Sequence, residues 1–287
     1  MRGRVRNMIL AAHHNQGMVR TYGVRVIRRV AHPERGFTQG LLTEGGTVWE
    51  SVGLYGHSEL RRYAFAAARS GGRSGTARKR ARAPEARAKL PPEFFGEGIC
   101  RVGDSIWQLT WKELVAFRWD AASLELRDKV RFNREGWGIC AIVAQGPSGE
   151  LTTPEVVTSN GTDELVRRHP DTLEPWEIVQ VRCQGKRAQL LNDLAWADGL
   201  VWANVAGTDC LAGIDLAAGE VTDMVDAGAA AERHGRDPQA IMNGIAATTT
   251  PSEFLLTGKT WRSIRQVRLV PNRGRGYVQR VLNGWQA

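Results

Sequence analysis

Short runs of alternating apolar and polar residues dominate this chain. Four of them are rich in β-branched or aromatic residues and bounded by turn residues: 47–52, 105–109, 199–204 and 253–257. Runs of this kind predict short β-strands. Helical periodicity is scarce, and the one stretch that favours a helix covers residues 229–234. The pattern therefore predicts an all-β protein.

A recurrent pattern divides the chain into five parts. In each part a small polar cluster opens a strand, and a turn, a Trp- or Val-bearing strand and a second turn follow. The openings are about 40 to 60 residues apart, which is typical of β-propeller blades. They begin at Thr38, Gly96, Gly136, Leu191 and Met242. We therefore predict a five-bladed β-propeller over residues 20–275. The alternating segment 22–30 is expected to pair with the last blade and close the ring, which removes unpaired strand edges.

The propeller geometry predicts a cluster of side chains at one face. A blade's opening and the turn two short strands later lie on the same face, near the central axis. The opening residues are Gln39, Glu97, Trp137, Asn192 and Asn243. The second-turn residues are Tyr55, Trp111, Lys112, Asn160, Ala206 and Lys259. A carboxylate, a lysine, amides and indoles gathered at one mouth indicate a binding site.

Composition excludes several classes of protein. The chain has 287 residues, 42% of them hydrophobic, which is ordinary for a globular core and not typical of a disordered chain, a collagen or a disulfide-rich mini-domain. No apolar run approaches the ~20 residues that a transmembrane helix needs. We expect a monomer with no membrane partner.

The basic charge of the chain is concentrated in two segments. Lys and Arg number 39 against 30 Asp and Glu, a formal net charge of +9. An insertion at about residues 66–90 holds eight basic residues and one acidic residue, and an N-terminal tail over 1–19 holds three arginines. Neither segment interleaves aromatic residues with its charges, as a nucleic-acid-binding face would. We expect solvated segments, with a second tail at 276–287, and no nucleic-acid partner.

The N-terminal sequence and the spacing of the cysteines bear on the cellular compartment of the protein. Residues 8–12 are too short an apolar stretch for an export signal. We therefore expect a cytoplasmic protein, with a secreted or periplasmic location left open if the start site lies elsewhere. Four cysteines lack CxxC spacing, and buried free thiols are expected. They are Cys100, Cys140, Cys183 and Cys210.

Ten short motifs follow one another between residues 20 and 270. They are FTQGL from Phe37, ESVGLYGHSELRR from Glu50, FFGEGI from Phe94, LTWK from Leu109, GWGI from Gly136, LNDLAW from Leu191, VWANV from Val201, TDCLAGID from Thr208, MNGIA from Met242 and LTGKTW from Leu256. In this order they resemble the plant-type glutaminyl-peptide cyclotransferases (glutaminyl cyclases), a five-bladed propeller family also found in bacteria. The resemblance implies that N-terminal Gln of a peptide or protein substrate, and more slowly Glu, is converted to pyroglutamate with loss of ammonia or water.

The resemblance also implies roles for three polar residues. Glu97 matches the family's catalytic glutamate, which carries a proton from the substrate amine to the leaving group. Lys259 matches a family lysine that could stabilise the oxyanion or tune Glu97, and Asn192 matches an asparagine that offers an amide donor. Each of the three could instead be an ordinary turn residue. A carboxyl beside Phe95 and indoles is expected to have a raised pKa.

Aromatic and amide residues complete the pocket that the resemblance implies. Five match family positions that line it and bind the substrate: Phe37, Gln39, Phe95, Trp111 and Trp137. Indole faces can hold a folded substrate and exclude water. Packing between blades is the open alternative for the last two, and a structural role is the alternative for Asn243. Three other tryptophans are expected in the core: Trp107, Trp202 and Trp261.

Two departures from the family pattern favour a rival reading. Ala206 stands where the family usually has Trp, and Asn160 stands where it usually has Asp. The first predicts a roomier pocket and the second removes a charge. Both changes would suit a propeller that binds peptides without catalysis, whereas retention of the three polar residues argues against that function.

A metal-dependent hydrolase of the lactonase kind is the second rival. Glu97, Asn192 and Asn243 could supply oxygen ligands to a central divalent cation. No His, Asp and Glu pattern indicates a zinc site, and the resemblance implies catalysis without a metal. We therefore expect no cofactor, while a structural divalent cation stays open.

Overall fold

β-Strands make up nearly all the regular structure of the protein. The structure, a computed structural model, describes residues 18–65, 83–143, 154–232, 238–272 and 276–285. The all-β class predicted from the sequence is confirmed. The strands in the described residues are β1 (Arg20–Ala31), β2 (Thr38–Glu44), β3 (Thr47–Val52), β4 (Glu59–Ala64), β5 (Ala86–Lys89), β6 (Gly96–Val102), β7 (Ser105–Thr110), β8 (Val115–Asp120), β9 (Leu126–Arg131), β10 (Ile139–Ile142), β11 (Glu155–Thr158), β12 (Glu164–Arg168), β13 (Pro175–Gln180), β14 (Arg182–Cys183), β15 (Lys186–Arg187), β16 (Leu191–Ala197), β17 (Leu200–Val205), β18 (Cys210–Asp215), β19 (Glu220–Asp226), β20 (Met242–Ala247), β21 (Glu253–Gly258) and β22 (Ser263–Pro271).

Most strands pair with the next strand along the chain, and β1 is the main exception. Strands β2–β5, β6–β9 and β10–β13 each form a four-stranded antiparallel sheet. A larger sheet runs β16-β17-β18-β19-β1-β22-β21-β20, in which β14 pairs with β19 and β15 pairs with β14. Strand β1 pairs antiparallel with β22 and parallel with β19. The expected pairing of segment 22–30 with the last strands is therefore present.

Glycines let the first strands of successive groups approach closely. A Cβ on Gly40 would lie 2.8 Å from Ile99 N, and one on Gly98 would lie 2.6 Å from Trp137 O. A Cβ on Gly138 would lie 2.0 Å from Asn192 O. No side chain fits at such distances, so the glycines of these motifs allow β2, β6, β10 and β16 to lie side by side.

Buried Asp193 links three of the first strands. Its Oδ2 accepts hydrogen bonds from Leu41 N of β2 at 3.2 Å and from Ile245 N of β20 at 2.9 Å. Asp193 itself lies on β16. This carboxyl therefore holds together backbone segments that are more than 200 residues apart in sequence.

The core lies between neighbouring sheets. Strand β7 is buried at every position, because its successive side chains point to opposite faces and enter two different core clusters, Ile106 in one and Trp107 and Leu109 in the other. The three tryptophans expected in the core, Trp107, Trp202 and Trp261, are all buried. The four cysteines are buried and free, as the sequence predicted.

Some segments differ from their sequence-based expectation. Residues 276–287 were expected to form a tail, yet α1 (Gly276–Gly284) packs on the sheet through buried Val278 and Leu282. Of the basic insertion, residues 66–82 lie outside the described residues, and Ala86–Lys89 forms β5. A helix was expected at 229–234, of which 233–234 lie outside the described residues; the described part contains a 3-10 turn over Gly228–Ala230. Neither described helix is long and apolar enough to cross a membrane.

Candidate active site

One cavity of about 360 Å³ brings the predicted site residues together. Its lining includes all eight of them: Glu97, Lys259, Asn192, Phe37, Gln39, Phe95, Trp111 and Trp137. They come from segments spread over more than 220 residues of sequence. The rest of the lining is Leu54, Ala206, Gly207, Ile241, Met242 and Asn243. A mostly apolar cavity with a few converging polar groups is typical of a small-molecule site.

Glu97 lies at the start of β6 between two glycines. A Cβ on Gly96 would lie 2.8 Å from Gln108 Nε2, and Gly98 N donates a 2.8 Å hydrogen bond to Trp137 O. Glycines on both sides therefore let the strand pass close to its neighbours while the glutamate side chain enters the cavity. The side chain is 4% exposed, so its carboxyl is almost removed from water.

A chain of amide hydrogen bonds fixes the Glu97 carboxyl. Gln39 Nε2 donates to Glu97 Oε1 at 2.7 Å, and Asn243 Nδ2 donates to Gln39 Oε1 at 2.9 Å. Asn243 Nδ2 also lies 3.3 Å from Thr38 O. Asn243 orients the Gln39 amide, and the Gln39 amide in turn orients the Glu97 carboxyl, so this chain of hydrogen bonds holds the carboxyl in one position.

Burial shifts the pKa values of Glu97 and Lys259 in opposite directions. Burial raises the pKa of Glu97 well above its usual range, although the Lys259 cation and the Gln39 hydrogen bond lower it in part. Burial lowers the pKa of Lys259, while Glu97 raises it. In the described part of the chain no carboxylate oxygen lies within 4.0 Å of Lys259 Nζ, which sits 4.5 Å from the Phe37 ring centroid. The two groups therefore interact across the cavity, and burial moves the pKa of each toward the neutral range.

Three polar groups of cavity-lining residues have no partner within the described residues. Trp137 Nε1 is buried without a hydrogen-bond acceptor, and Asn192 Oδ1 and Asn243 Oδ1 are buried without a donor. The backbone of Asn192 is held by Ser159 Oγ, which donates to Asn192 O at 2.8 Å. The Trp137 ring packs on Gly161, where a Cβ would lie 2.6 Å from the ring. Buried polar groups that stay unpaired cost free energy unless a ligand satisfies them.

Aromatic rings form one wall of the cavity. The ring of Phe95 lies 6.3 Å from Phe37, 5.5 Å from Trp111 and 5.4 Å from Tyr55, measured between centroids. All three contacts are edge-on, the arrangement that aromatic pairs favour. Trp111 therefore faces the cavity and is not a residue of the core.

Only some of the residues predicted at the second turns line the cavity. Trp111, Ala206 and Lys259 line the cavity. Tyr55 lies at the rim against Phe95. Asn160 caps its own turn, where Thr162 Oγ1 donates to Asn160 Oδ1 at 2.6 Å.

Two polar residues near the site, Asp193 and Glu113, were not predicted there, and a third, Asn243, was predicted at the mouth with a structural role as the alternative. Asn243 orients Gln39, and Asp193 and Glu113 each raise the pKa of Glu97 through their negative charge. Asn243 lies at a predicted strand opening, and this position was the sequence signal that placed its amide at the mouth. Nothing in the sequence indicated that Glu113 would contact Phe95 N, at 3.2 Å.

The cavity can support a reaction that needs proton transfer and a stabilised oxyanion. A carboxyl with a raised pKa can act as both base and acid near neutral pH. The Lys259 ammonium, the Asn192 amide and Trp137 Nε1 can stabilise negative charge that develops on a bound oxygen. Among the described residues, no group of three or more His, Cys, Asp or Glu could hold a metal ion.

Comparison with known proteins identifies the family. The sequence profile of the glutamine cyclotransferases matches residues 4–269, which is most of the chain. The chain belongs to the glutamine cyclotransferase family. The resemblance inferred from the ten motifs is thereby confirmed, and the family is an enzyme family.

Relatives of known identity agree with this assignment to the glutamine cyclotransferases. A glutaminyl-peptide cyclotransferase of Arabidopsis thaliana is 28% identical over 251 residues, which span 86% of this chain and 71% of the plant protein. The crystal structure of Myxococcus xanthus glutaminyl cyclase is also 28% identical, with a TM-score of 0.72, over 88% of this chain and 98% of that chain. The activity of this chain is that of a glutamine cyclotransferase, and neither rival function is favoured.

Proposed function

We propose that this glutamine cyclotransferase converts the N-terminal glutamine of peptides to pyroglutamate in the cavity around Glu97. One observation carries the proposal: a buried carboxyl with a raised pKa is hydrogen-bonded by Gln39 inside an aromatic cavity that also contains Lys259 and Asn192. These are the groups that cyclisation of a glutamine requires. N-terminal glutamate is proposed to react more slowly, because its γ-carboxylate is anionic at neutral pH and resists attack by the amine, and it must be protonated before water can leave.

The reaction closes a five-membered ring within one substrate residue. The α-amine attacks the γ-carboxamide carbon, a C–N bond forms, and the carbonyl oxygen becomes an oxyanion in a tetrahedral intermediate. The intermediate then collapses, the original carboxamide C–N bond breaks, and ammonia leaves. Because both reacting groups belong to one residue, much of the enzyme's task is to hold the curled conformer. The rings of Phe37, Phe95 and Trp111 fit that task.

Glu97 is proposed as the proton shuttle. As a carboxylate it takes a proton from the attacking amine, and as a carboxylic acid it gives that proton to the departing nitrogen. Both steps are efficient when the carboxyl pKa lies nearer the working pH than that of a solvated glutamate. Gln39 keeps the carboxyl oriented because its own amide is held by Asn243.

The oxyanion is proposed to form against three donors. Lys259 supplies a cation, Asn192 supplies an amide, and Trp137 supplies an indole N–H that has no other partner in the described residues. Donors that are oriented before the reaction stabilise the transition state without reorganisation. These groups together provide charge stabilisation without a metal, so a metal-independent reaction is proposed.

The fold proposed for this enzyme is a five-bladed β-propeller closed by β1. Support comes from β2–β5, β6–β9, β10–β13 and β16–β19, each a run of four antiparallel strands. The fifth blade would consist of β20, β21, β22 and β1, with the N-terminal strand as its outer strand, paired with β22. Closure of this kind would hold the first blade against the last at Gln39 and Asn243.

An ammonia-release assay tests the proposed function. The purified protein is incubated with a dipeptide that begins with Gln, with and without a chelator, and the product is identified by a mass loss of one ammonia. Equal turnover in both reactions supports a metal-independent cyclase. No turnover would contradict the activity, and turnover that the chelator abolishes would contradict its metal independence. Size-exclusion chromatography tests the monomer proposed from the sequence.

A further inference from the structure

The turn between β3 and β4 brings Leu54 and Tyr55 to the mouth of the cavity. Leu54 lines the cavity and is nevertheless 42% exposed, and the adjacent Tyr55 is 48% exposed. Both belong to a small set of large apolar side chains that are exposed in the described part of the chain. Apolar surface that continues from a cavity out to solvent commonly marks a ligand-binding region.

The backbone of Leu54 has an unusual conformation. Its φ is +103°, whereas the other non-glycine residues with positive φ in the described ranges lie between +53° and +65°. Such a conformation persists only where the surroundings impose it, and it is frequent at ligand-binding sites. His57 N and Ser58 Oγ each donate to Leu54 O at 2.9 Å, and Gly56 N donates to Pro92 O at 3.0 Å. The turn is therefore fixed, and it holds the Leu54 side chain at the mouth.

Tyr55 is held on two sides. Its ring lies 5.4 Å from the Phe95 ring at 71°, and its Oη donates to Glu113 Oε1 at 2.7 Å. Glu113 Oε2 accepts a hydrogen bond from Phe95 N at 3.2 Å. The hydrogen bond to Glu113 raises the pKa of Tyr55 to about 12, so the phenol remains a donor throughout the neutral range. The phenol ring is thus a rigid apolar surface outside the aromatic wall.

We propose that Leu54 and Tyr55 form a subsite for the side chain of the residue that follows the N-terminal glutamine, and that this subsite favours an apolar side chain. The inference rests on the proposed function, because it requires the glutamine carboxamide to lie beside Glu97. With its first residue inside the cavity, a peptide must leave through the mouth, where Leu54 and Tyr55 are exposed. An apolar second side chain would remove both from water, whereas glycine would not.

Paired peptide substrates test the subsite. The measurement is kcat/KM for the amides of Gln-Leu and Gln-Gly, which differ only in the second side chain. In the wild-type protein we expect a preference for Gln-Leu of about fivefold, the effect of partly burying one leucine side chain. Leu54→Ala should bring the ratio close to one. Leu126→Ala is the matched control, because Leu126 is also an exposed leucine, on β9, and it should keep the wild-type ratio.

A second variant keeps the test valid if the alanine variant folds poorly. Leu54→Gly removes the same side chain, and glycine adopts a φ of +103° without strain. Equal kcat/KM for the two peptides in the wild-type protein, or a preference that survives in a folded Leu54 variant, would overturn the subsite alone. Failure of the wild-type protein to cyclise either peptide or glutamine amide would overturn the proposed function and the subsite with it.

Discussion

Gln39 Nε2 and Glu97 Oε1 lie 2.7 Å apart, although the two residues are separated by 58 positions in the chain. Gln39 belongs to β2 and Glu97 to β6, the first strands of two successive sheets. Gly40 and Gly98 allow these strands to approach, because a Cβ on Gly40 would lie 2.9 Å from Gly98 Cα. The hydrogen bond that orients the proposed proton shuttle is therefore a consequence of how neighbouring sheets pack at their inner edges.

Breaking this hydrogen bond should change catalysis and pH dependence together. Gln39→Leu removes the donor to Glu97 and leaves the Asn243 amide with only its longer hydrogen bond to Thr38 O. Because the Gln39 hydrogen bond lowers the pKa of Glu97, the acid limb of the kcat/KM profile should move to higher pH, and kcat should fall. The measurement is the pH profile of ammonia release from a Gln dipeptide.

A comparable bond elsewhere provides the control for Gln39→Leu. Gln266 Nε2 donates to Glu253 Oε2 at 2.9 Å between β22 and β21. We expect Gln266→Leu to lower the free energy of unfolding by about 1–3 kcal/mol and to leave the pH profile in place. An unshifted acid limb in Gln39→Leu would contradict the role given to this hydrogen bond.

Lys259 should tune the same pH profile through its charge. Its cation lowers the pKa of Glu97, so Lys259→Met should raise that pKa and move the acid limb of kcat/KM to higher pH. The loss of a proposed oxyanion donor should lower kcat as well. Lys89→Met, which removes a positive charge from an exposed position of β5, should do neither. An acid limb that moves to lower pH in Lys259→Met would show that the sign of the coupling is wrong.

The indole N–H of Trp137 should act mainly in the transition state. Trp137→Phe keeps an aromatic ring against Gly161 and removes the unpartnered donor. Since a single oxyanion donor can contribute about 10²-fold to kcat, we expect a fall of that order with little change in KM. Trp176→Phe, an exposed residue of β13, should leave both constants unchanged. A rise in KM alone would mean that the ring binds the substrate and its N–H does not act on the oxyanion.

Much of the fold could be predicted because the repeat is visible in the sequence. Strands β2, β6, β16 and β20 begin at the predicted openings Thr38, Gly96, Leu191 and Met242. Strand β10 begins at Ile139, after its predicted opening, because the backbone of the preceding Gly-Trp-Gly segment bonds to Ser159 and to the neighbouring sheet instead of forming a regular ladder.

Other features depend on contacts that a sequence pattern does not contain. Gln39 and Asn243 are 204 positions apart, so their hydrogen bond follows from the packing of the first and last sheets. Helix α1 buries Val278 and Leu282 and packs Tyr277 and Val281 against the same core cluster. This spacing is typical of an amphipathic helix, but the segment is short and lies at the end of the chain, and it was expected to form a tail. Arg87 lies on the paired strand β5. The sequence did not predict this strand, because Arg87 stands among many basic residues that were expected to be solvated. There it forms ion pairs with Glu59 and Glu34.

Burial of the Glu97 carboxyl should cost stability at high pH. Its pKa is raised in the folded protein, so the stability that the protonated carboxyl contributes at low pH is lost as the pH rises through the folded-state pKa. Glu97→Gln is neutral at every pH. Its Tm should therefore be close to wild type at pH 4 and above wild type at pH 8, as measured by thermal unfolding.

An exposed glutamate provides the reference for that comparison. Glu125→Gln alters a side chain that is exposed in the turn before β9, and its Tm should follow the wild-type curve at both pH values. A Tm of Glu97→Gln that falls below wild type at pH 8 would mean that the ionised carboxylate stabilises the fold, contrary to the direction of its pKa shift.

The most direct test of the central claim is turnover by Glu97→Gln. The substitution keeps the size of the side chain and removes its ability to exchange a proton. If Glu97 carries the proton from the amine to the leaving nitrogen, kcat for ammonia release from a Gln dipeptide falls by about 10²–10⁴-fold while circular dichroism shows an intact β fold. A folded variant that releases ammonia at a near-normal rate would contradict this role for Glu97.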